Sequence, residues 1–328
     1  MSKRRKASLR SVVTRVLGAA VATACTVLVL GPAQHASAGT GPALGTSKAD
    51  LAAALHCPSS FTHTDRSPVL LVHGMSSTFD ESWSWNMAPA LRADGYDVCG
   101  VDLPNRAMSD IQISAEYVVN AVRTMQAATG NKVDVISHSE GTATSRWAAK
   151  WWPDVQGDID DLITLASPTH GIGYGNLYCI VNCAPSVSQV AIGAKFVDAL
   201  NRDDETPGAI SYTNVYSLSD EAIVPATTNP MSGADNVLLQ GVCPGRVVTH
   251  GGLLYDSVSY QLVLDALSHP GGADPSRLPI GKCFGVYLPG VTDGEVTTHS
   301  ASMAATLTDQ VLNYPHVVSE PPLKAYAQ

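Results

Sequence analysis

The sequence has no C-x-x-C pair, no His-Glu-x-x-His run and no Asn-x-Ser/Thr sequon in its 328 residues. The first two absences remove the usual thiol-redox and zinc signatures, so no metal and no cofactor is expected. The third leaves no acceptor for N-linked sugar. There is no internal repeat, heptad or low-complexity tract, which excludes solenoids and coiled coils. Charged residues make up only 15% of the chain, against 45% hydrophobic, and that length and composition can bury one large core. Beyond residue 38 no apolar run is long enough to cross a bilayer, so no transmembrane segment is expected in the mature chain.

What is present begins with a leader. Lys3, Arg4, Arg5, Lys6, Arg10 and Arg15 make a basic start without an acidic residue. Val16 to Leu30 is apolar but shorter than the ~20 residues a spanning helix needs. Ala36-Ser37-Ala38 then supplies a small-residue cleavage site, so residues 1–38 read as a signal peptide and the mature protein as secreted. Its removal takes six of the 20 basic residues and none of the 29 acidic ones, leaving 14 against 29, a net charge of −15. Such a surface argues against nucleic acid and anionic lipid as partners. Six cysteines remain beside Cys25 of the leader: Cys57, Cys99, Cys179, Cys183, Cys243 and Cys283. An even number in an exported chain predicts three disulfides, with the pairing left open among 15 possibilities.

From residue 51 onward, strand-like and helix-like runs alternate. Residues 68–74, 96–104, 132–137, 159–168 and 212–220 read as strands, with 236–242 as a sixth. Ala115, Val118, Val119, Val122 and Met125 recur at helical spacing, with Gly130 as a stop signal, and 140–152 and 251–267 read as further helices. Strands separated by helices imply a mostly parallel sheet with helices on both faces, an α/β fold in one domain spanning 39–328. Residues 169–211 are an irregular insertion, read either as a lid or as core packing. Residues 270–328 form a C-terminal extension with no clear pattern.

In a parallel sheet the chemistry collects at the carboxyl ends of the strands. Ser139 ends the third strand and opens a helix, Asp220 ends the fifth, and His250 lies in a loop before a helix. Ser-Asp-His is the chain order of α/β-hydrolases. The hydroxyl needs a base to become a nucleophile, imidazole can be that base near neutral pH, and a carboxylate fixes its tautomer. "SHSEG" (137–141) reads as a nucleophile elbow with Ser137 at the first glycine position. Two backbone N–H groups should meet the oxyanion, those of Glu140 and of Met75 in "HGMSS". The Glu140 carboxylate, in the first turn of a helix, is read as structural. His73 and His138 are too near Ser139 in sequence to serve as the distant base, and His170 also competes. Asp203, Asp204, Asp235 and Asp256 compete with Asp220.

At "VLLVHG", "SAEYVVNAV" before "SHSEG", "TNVYSLSDEAIVP" and "GVCPGRVVTHGG", the sequence resembles the secreted lipases of the α/β-hydrolase superfamily, bacterial class 2 lipases among them. The likeness runs from about Cys57 to Cys283. It implies Asp220 as the triad acid and His250 as the base. It also implies the bridges Cys57–Cys99 and Cys243–Cys283, which leaves Cys179–Cys183. A yeast member of the group has Trp before the nucleophile, Gln after it and Thr at the first oxyanion position; here these are His138, Glu140 and Met75. The implied activity is cofactor-free hydrolysis of lipid or small ester substrates, with a monomer expected; the apolar residues of 172–181 read either as a flap over the site that suits an acyl chain or a lipid–water interface, or as core packing. A cutinase-like polyester hydrolase and an acyltransferase would use the same residues, whereas a non-catalytic binding module would leave the three apart.

Overall fold

The computed structural model describes residues 39–328, and the expected leader, residues 1–38, lies outside the described residues. Seven strands form one sheet: β1 (Leu55–His56), β2 (Val69–Val72), β3 (Val98–Val101), β4 (Val133–His138), β5 (Ile159–Leu165), β6 (Ser211–Tyr216) and β7 (Asp235–Leu238). Their order is β1-β3-β2-β4-β5-β6-β7. Every pair is parallel except β1 with β3.

β2, β3 and β4 are buried at every position. Side chains of a strand alternate between the two faces, so a strand buried throughout is covered on both. This is why these runs carry no polar alternation in the sequence. The Ile111–Thr129 helix, stopped by Gly130 at φ 73°, packs against β2, β3 and β4 and against the Glu140–Trp151 helix. The Ser257–Ser268 helix packs on β5 and β6, its start capped by Asp256, which accepts from Val258 N and Ser259 N. Trp83, Trp147 and Trp152 are among the largest side chains fully buried.

Several expectations shift. The sixth predicted strand ends at Leu238, and Leu239–Val242 turn into a short helix. Residues 251–267 divide into a 3₁₀ turn, Gly251–Leu254, and the Ser257–Ser268 helix. The insertion holds three short helices, Gly175–Tyr178, Pro185–Gln189 and Lys195–Asn201. It is of two kinds: Ile172, Val190 and Phe196 are buried, whereas Leu177, Tyr178, Ile180 and Val181 are 59–75% exposed. The patternless C-terminal stretch contains a 21-residue helix, Asp293–Asn313, opened by a capping box between Thr292 and Glu295.

The sulfurs join as Cys57–Cys99, Cys179–Cys183 and Cys243–Cys283, the pairs that the resemblance implies. The sequence separations are 42, 4 and 40 residues. On loop-closure entropy the two long bridges restrict the unfolded chain by about 4 kcal/mol each and the short one by about 2.

Candidate active site

The turn after β4 is crowded, and the crowding explains its composition. Ser139 sits at φ 57° and ψ −130°, a left-handed conformation that costs a non-glycine residue about 1–3 kcal/mol. Its amide donates to Leu165 O at 2.9 Å, which fixes the turn to the end of β5. A Cβ on Gly141 would come within 2.3 Å of His73 O, and one on Gly74 within 2.7 Å of Ser139 Cβ. Both glycines are therefore required by backbone approach. Ser139 makes no side-chain cap bond to its own helix, which leaves its hydroxyl free to point elsewhere.

It points to His250. His250 Nε2 lies 2.9 Å from Ser139 Oγ, and His250 Nδ1 lies 3.0 Å from each oxygen of Asp220. A carboxylate only accepts, so Nδ1 carries the proton and Nε2 offers a lone pair to the serine hydroxyl. The Asp220 side chain is fully buried, that of His250 16% exposed. Asp220 also accepts from Ala222 N at 2.7 Å and Ile223 N at 2.9 Å. Burial pushes its pKa up, but the His250 hydrogen bond and charge and the two backbone amides outweigh burial and hold it below the ordinary carboxylate value.

The loop carrying His250 is anchored at several points. Cys243–Cys283 ties its start, and Arg246 bonds Asp256 Oδ2 at 2.7 Å and Gly285 O at 2.8 Å. The His250 amide donates to Glu221 Oε2 at 3.0 Å, and its carbonyl accepts from His138 Nε2 at 3.0 Å. His138 is buried, with its ring 4.6 Å from that of His250. Burial, together with the charge of His250, pushes the His138 pKa down to about 3, so it stays neutral. Neither Glu221 nor His138 was singled out as a site residue from sequence. Their only signal is adjacency to Asp220 and Ser139; the contacts themselves are tertiary.

The remaining candidates fall into place. His73 is buried at the end of β2, accepts from Leu103 N at 2.9 Å and donates from Nδ1 to Gly74 O at 2.8 Å, a structural tie. His170 pairs with Glu205 at 3.0 Å, and Asp204 bonds Thr206 N at 2.9 Å. Met75 follows Gly74 and is half-buried against the core. Its loop is held by Ser76 N donating to Arg106 O at 2.7 Å, and Arg106 pairs with Glu81. Glu140 is buried and bonds Thr144 Oγ1. A cavity of about 230 Å³ lies between the insertion and residues 317–320 and does not reach Ser139. Among the described residues, one cluster of carboxylates has ligating spacing: Asp134, Asp160 and Asp161. It lies at the starts of β4 and β5, the sheet edge opposite Ser139.

A mostly parallel sheet with a strained serine turn after a central strand and a histidine in a later loop defines an α/β-hydrolase. The lipase (class 2) family model matches residues 66–242, more than half of the chain. Over 300 residues the sequence is 30% identical to Lipase B of Pseudozyma antarctica, covering 88% of this chain and 87% of that one. The crystal structure of Aspergillus fumigatus lipase B aligns with a TM-score of 0.82 at 29% identity, over 89% of this chain and 74% of its own. The propeptide form of Bacillus licheniformis lipase BlEst2 aligns with a TM-score of 0.53 at 18% identity, over 67% of this chain and 54% of that one, and speaks for the fold alone. The chain belongs to the class 2 lipase family and is a carboxylic-ester hydrolase.

Proposed function

We propose that the protein is a secreted lipase or esterase that works through Ser139, His250 and Asp220 by way of an acyl-enzyme. Ser139 Oγ attacks the ester carbonyl carbon while His250 Nε2 takes its proton. The oxyanion forms against the backbone N–H groups of Glu140 and Met75. The tetrahedral intermediate collapses, His250 returns the proton to the leaving alcohol, and Ser139 keeps the acyl group. Water, deprotonated by His250, then attacks the acyl carbon and releases the acid. Asp220 holds the imidazole in the Nδ1–H tautomer throughout. No step calls for a cofactor.

The observation that carries this reading is the unbroken chain of contacts from Ser139 through His250 to Asp220, at 2.9 and 3.0 Å. Export is supported by the three disulfides and by the basic, Ala-Ser-Ala-terminated leader of the sequence. Lipid esters are favoured by the exposed Leu177, Tyr178, Ile180 and Val181, stiffened by the Cys179–Cys183 bridge, which suit an acyl chain or a lipid surface and form the lid-like part of 169–211.

The test is hydrolysis of p-nitrophenyl esters of graded chain length by the wild type and Ser139→Ala. Turnover should fall by about 10⁴-fold or more in the variant, with the circular dichroism spectrum unchanged. Full turnover by Ser139→Ala would remove the mechanism.

A further inference from the structure

The residue after the nucleophile is unusual for its place. Glu140 is 1% exposed, at the first position of the Glu140–Trp151 helix, and its backbone N–H is one of the two assigned above to the oxyanion. One carboxyl oxygen, Oε1, accepts from Thr144 Oγ1 at 2.7 Å. The other, Oε2, is buried without a hydrogen-bond partner among the described residues. A carboxylate can be kept charged in a core only if it is paired or well hydrogen-bonded. One neutral hydroxyl does not meet that need.

The surroundings supply no compensating charge. The ionisable groups on the elements that pack against this helix include Glu116 on the Ile111–Thr129 helix, His138 on β4, His73 just after β2 and Arg146 on the helix itself, and Asp220 and His250 belong to the site. None of these exerts a charge effect on Glu140; burial pushes its pKa up to about 8, and the Thr144 hydrogen bond only partly offsets this. The amides at the start of the helix favour a negative charge there, by less than burial disfavours it.

We infer that Glu140 is a positioning residue that must remain a neutral acid, and that loss of its proton suppresses ester hydrolysis by placing a buried negative charge beside the N–H that meets the oxyanion. This rests on the serine mechanism proposed above. Two like charges in a partly desolvated site repel, and a slowing on the order of 100-fold is the size of effect expected. The effect falls on the transition state, so it should lower kcat and leave KM nearly unchanged. No other group of the site described here accounts for such a loss above neutrality. Asp220 is held below its ordinary range, His138 is neutral, and burial pushes the Tyr174 hydroxyl far up.

The experiment compares pH profiles of kcat for a soluble short-chain ester in the wild type, Glu140→Gln and Thr144→Val, with Ser139→Ala as reference and folding checked by circular dichroism at each pH. Wild-type kcat should fall about tenfold per pH unit above roughly 8, towards a floor near one hundredth of its maximum. Glu140→Gln keeps the shape and cannot ionise, so, whatever its rate at pH 7, its profile should lack that limb. Thr144→Val removes the hydrogen bond that favours the charged form, so its limb should move to higher pH. A protonated-carboxyl stretch in the wild-type minus Glu140→Gln infrared difference spectrum should vanish over the same pH range. An identical alkaline limb in Glu140→Gln overturns the inference, as does a Thr144→Val limb that moves to lower pH. If Glu140→Gln does not fold, the Thr144→Val shift decides. An inactive Ser139→Ala with either contrary result defeats this inference alone, whereas an active Ser139→Ala defeats the mechanism beneath it.

Discussion

Asp220 and Glu140 are both buried carboxyl groups at the carboxyl edge of the sheet, one following β6 and one following β4, and their surroundings treat them in opposite ways. Asp220 receives two backbone amides and an imidazole N–H, and these hold it below the ordinary range although burial opposes them. Glu140 receives one threonine hydroxyl, and burial wins. The same side-chain chemistry thus gives an anion in one place and a neutral acid at the residue next to the nucleophile. The number of N–H donors aimed at each carboxyl, more than depth of burial, decides its charge.

The largest test of this contrast is Asp220→Asn. It keeps the shape but offers His250 Nδ1 an amide that cannot hold the required tautomer, so kcat should fall by about 10⁴-fold. The measurement is steady-state ester hydrolysis at pH 7; a loss under tenfold would remove Asp220 from the site.

Next in size is a stability effect at Glu140. Its pKa is about 8 in the fold against 4.5 ordinarily, so the folded state keeps a proton that the unfolded chain releases. Stability is therefore full below pH 4.5, declines as pH rises towards 8 and is level above that. Glu140→Gln escapes the decline and should be more stable than the wild type by about 3 kcal/mol at pH 7, with the gain gone at pH 4. Urea unfolding at the two pH values checks it, and an equal difference at both would mean that the carboxyl is charged in the fold.

Smaller again is His138, which links the two regions. Its Nε2–H holds the His250 carbonyl, and a lost hydrogen bond of about 1.4 kcal/mol at the transition state is about tenfold in rate. His138→Leu should lose about that much kcat, and His138→Gln, which keeps an N–H donor, should lose less. Equal losses would assign His138 to packing alone.

The smallest effect expected is on stability in Thr144→Val, about 1 kcal/mol at pH 7 by thermal unfolding. A loss of several kcal/mol would mean that Glu140 is ionised there and depends on that hydroxyl.

Much of this arrangement is legible in the sequence. The buried strands announced themselves because both their faces are apolar, and the serine turn because backbone approach demands Gly74 and Gly141. Asp220 was not fixed by pattern, since Asp204, Asp235 and Asp256 carry the same side chain. Their contacts explain why pattern fails: Asp256 caps a helix and pairs with Arg246, and Asp204 closes a local turn. β1 is two residues long, too short to leave a period. The Asp293–Asn313 helix is rich in Ala, Thr and Ser with few apolar residues, so no buried stripe marked it, although the Thr292–Glu295 capping box was there to be read. In the sequence Glu140 reads as a charged, structural helix-start residue. Its burial, and with it the loss of that charge, depends on how the sheet and helices close around it, and no local spacing records that.

The most direct measurement is labelling by a p-nitrophenyl alkylphosphonate, a tetrahedral phosphorus electrophile that is captured by an activated serine. The account predicts one adduct per chain, mapped by peptide mass to Ser139, forming at least 10³-fold more slowly in His250→Ala. An adduct on another residue, or an unchanged labelling rate in His250→Ala, would contradict the claim that this imidazole activates that hydroxyl.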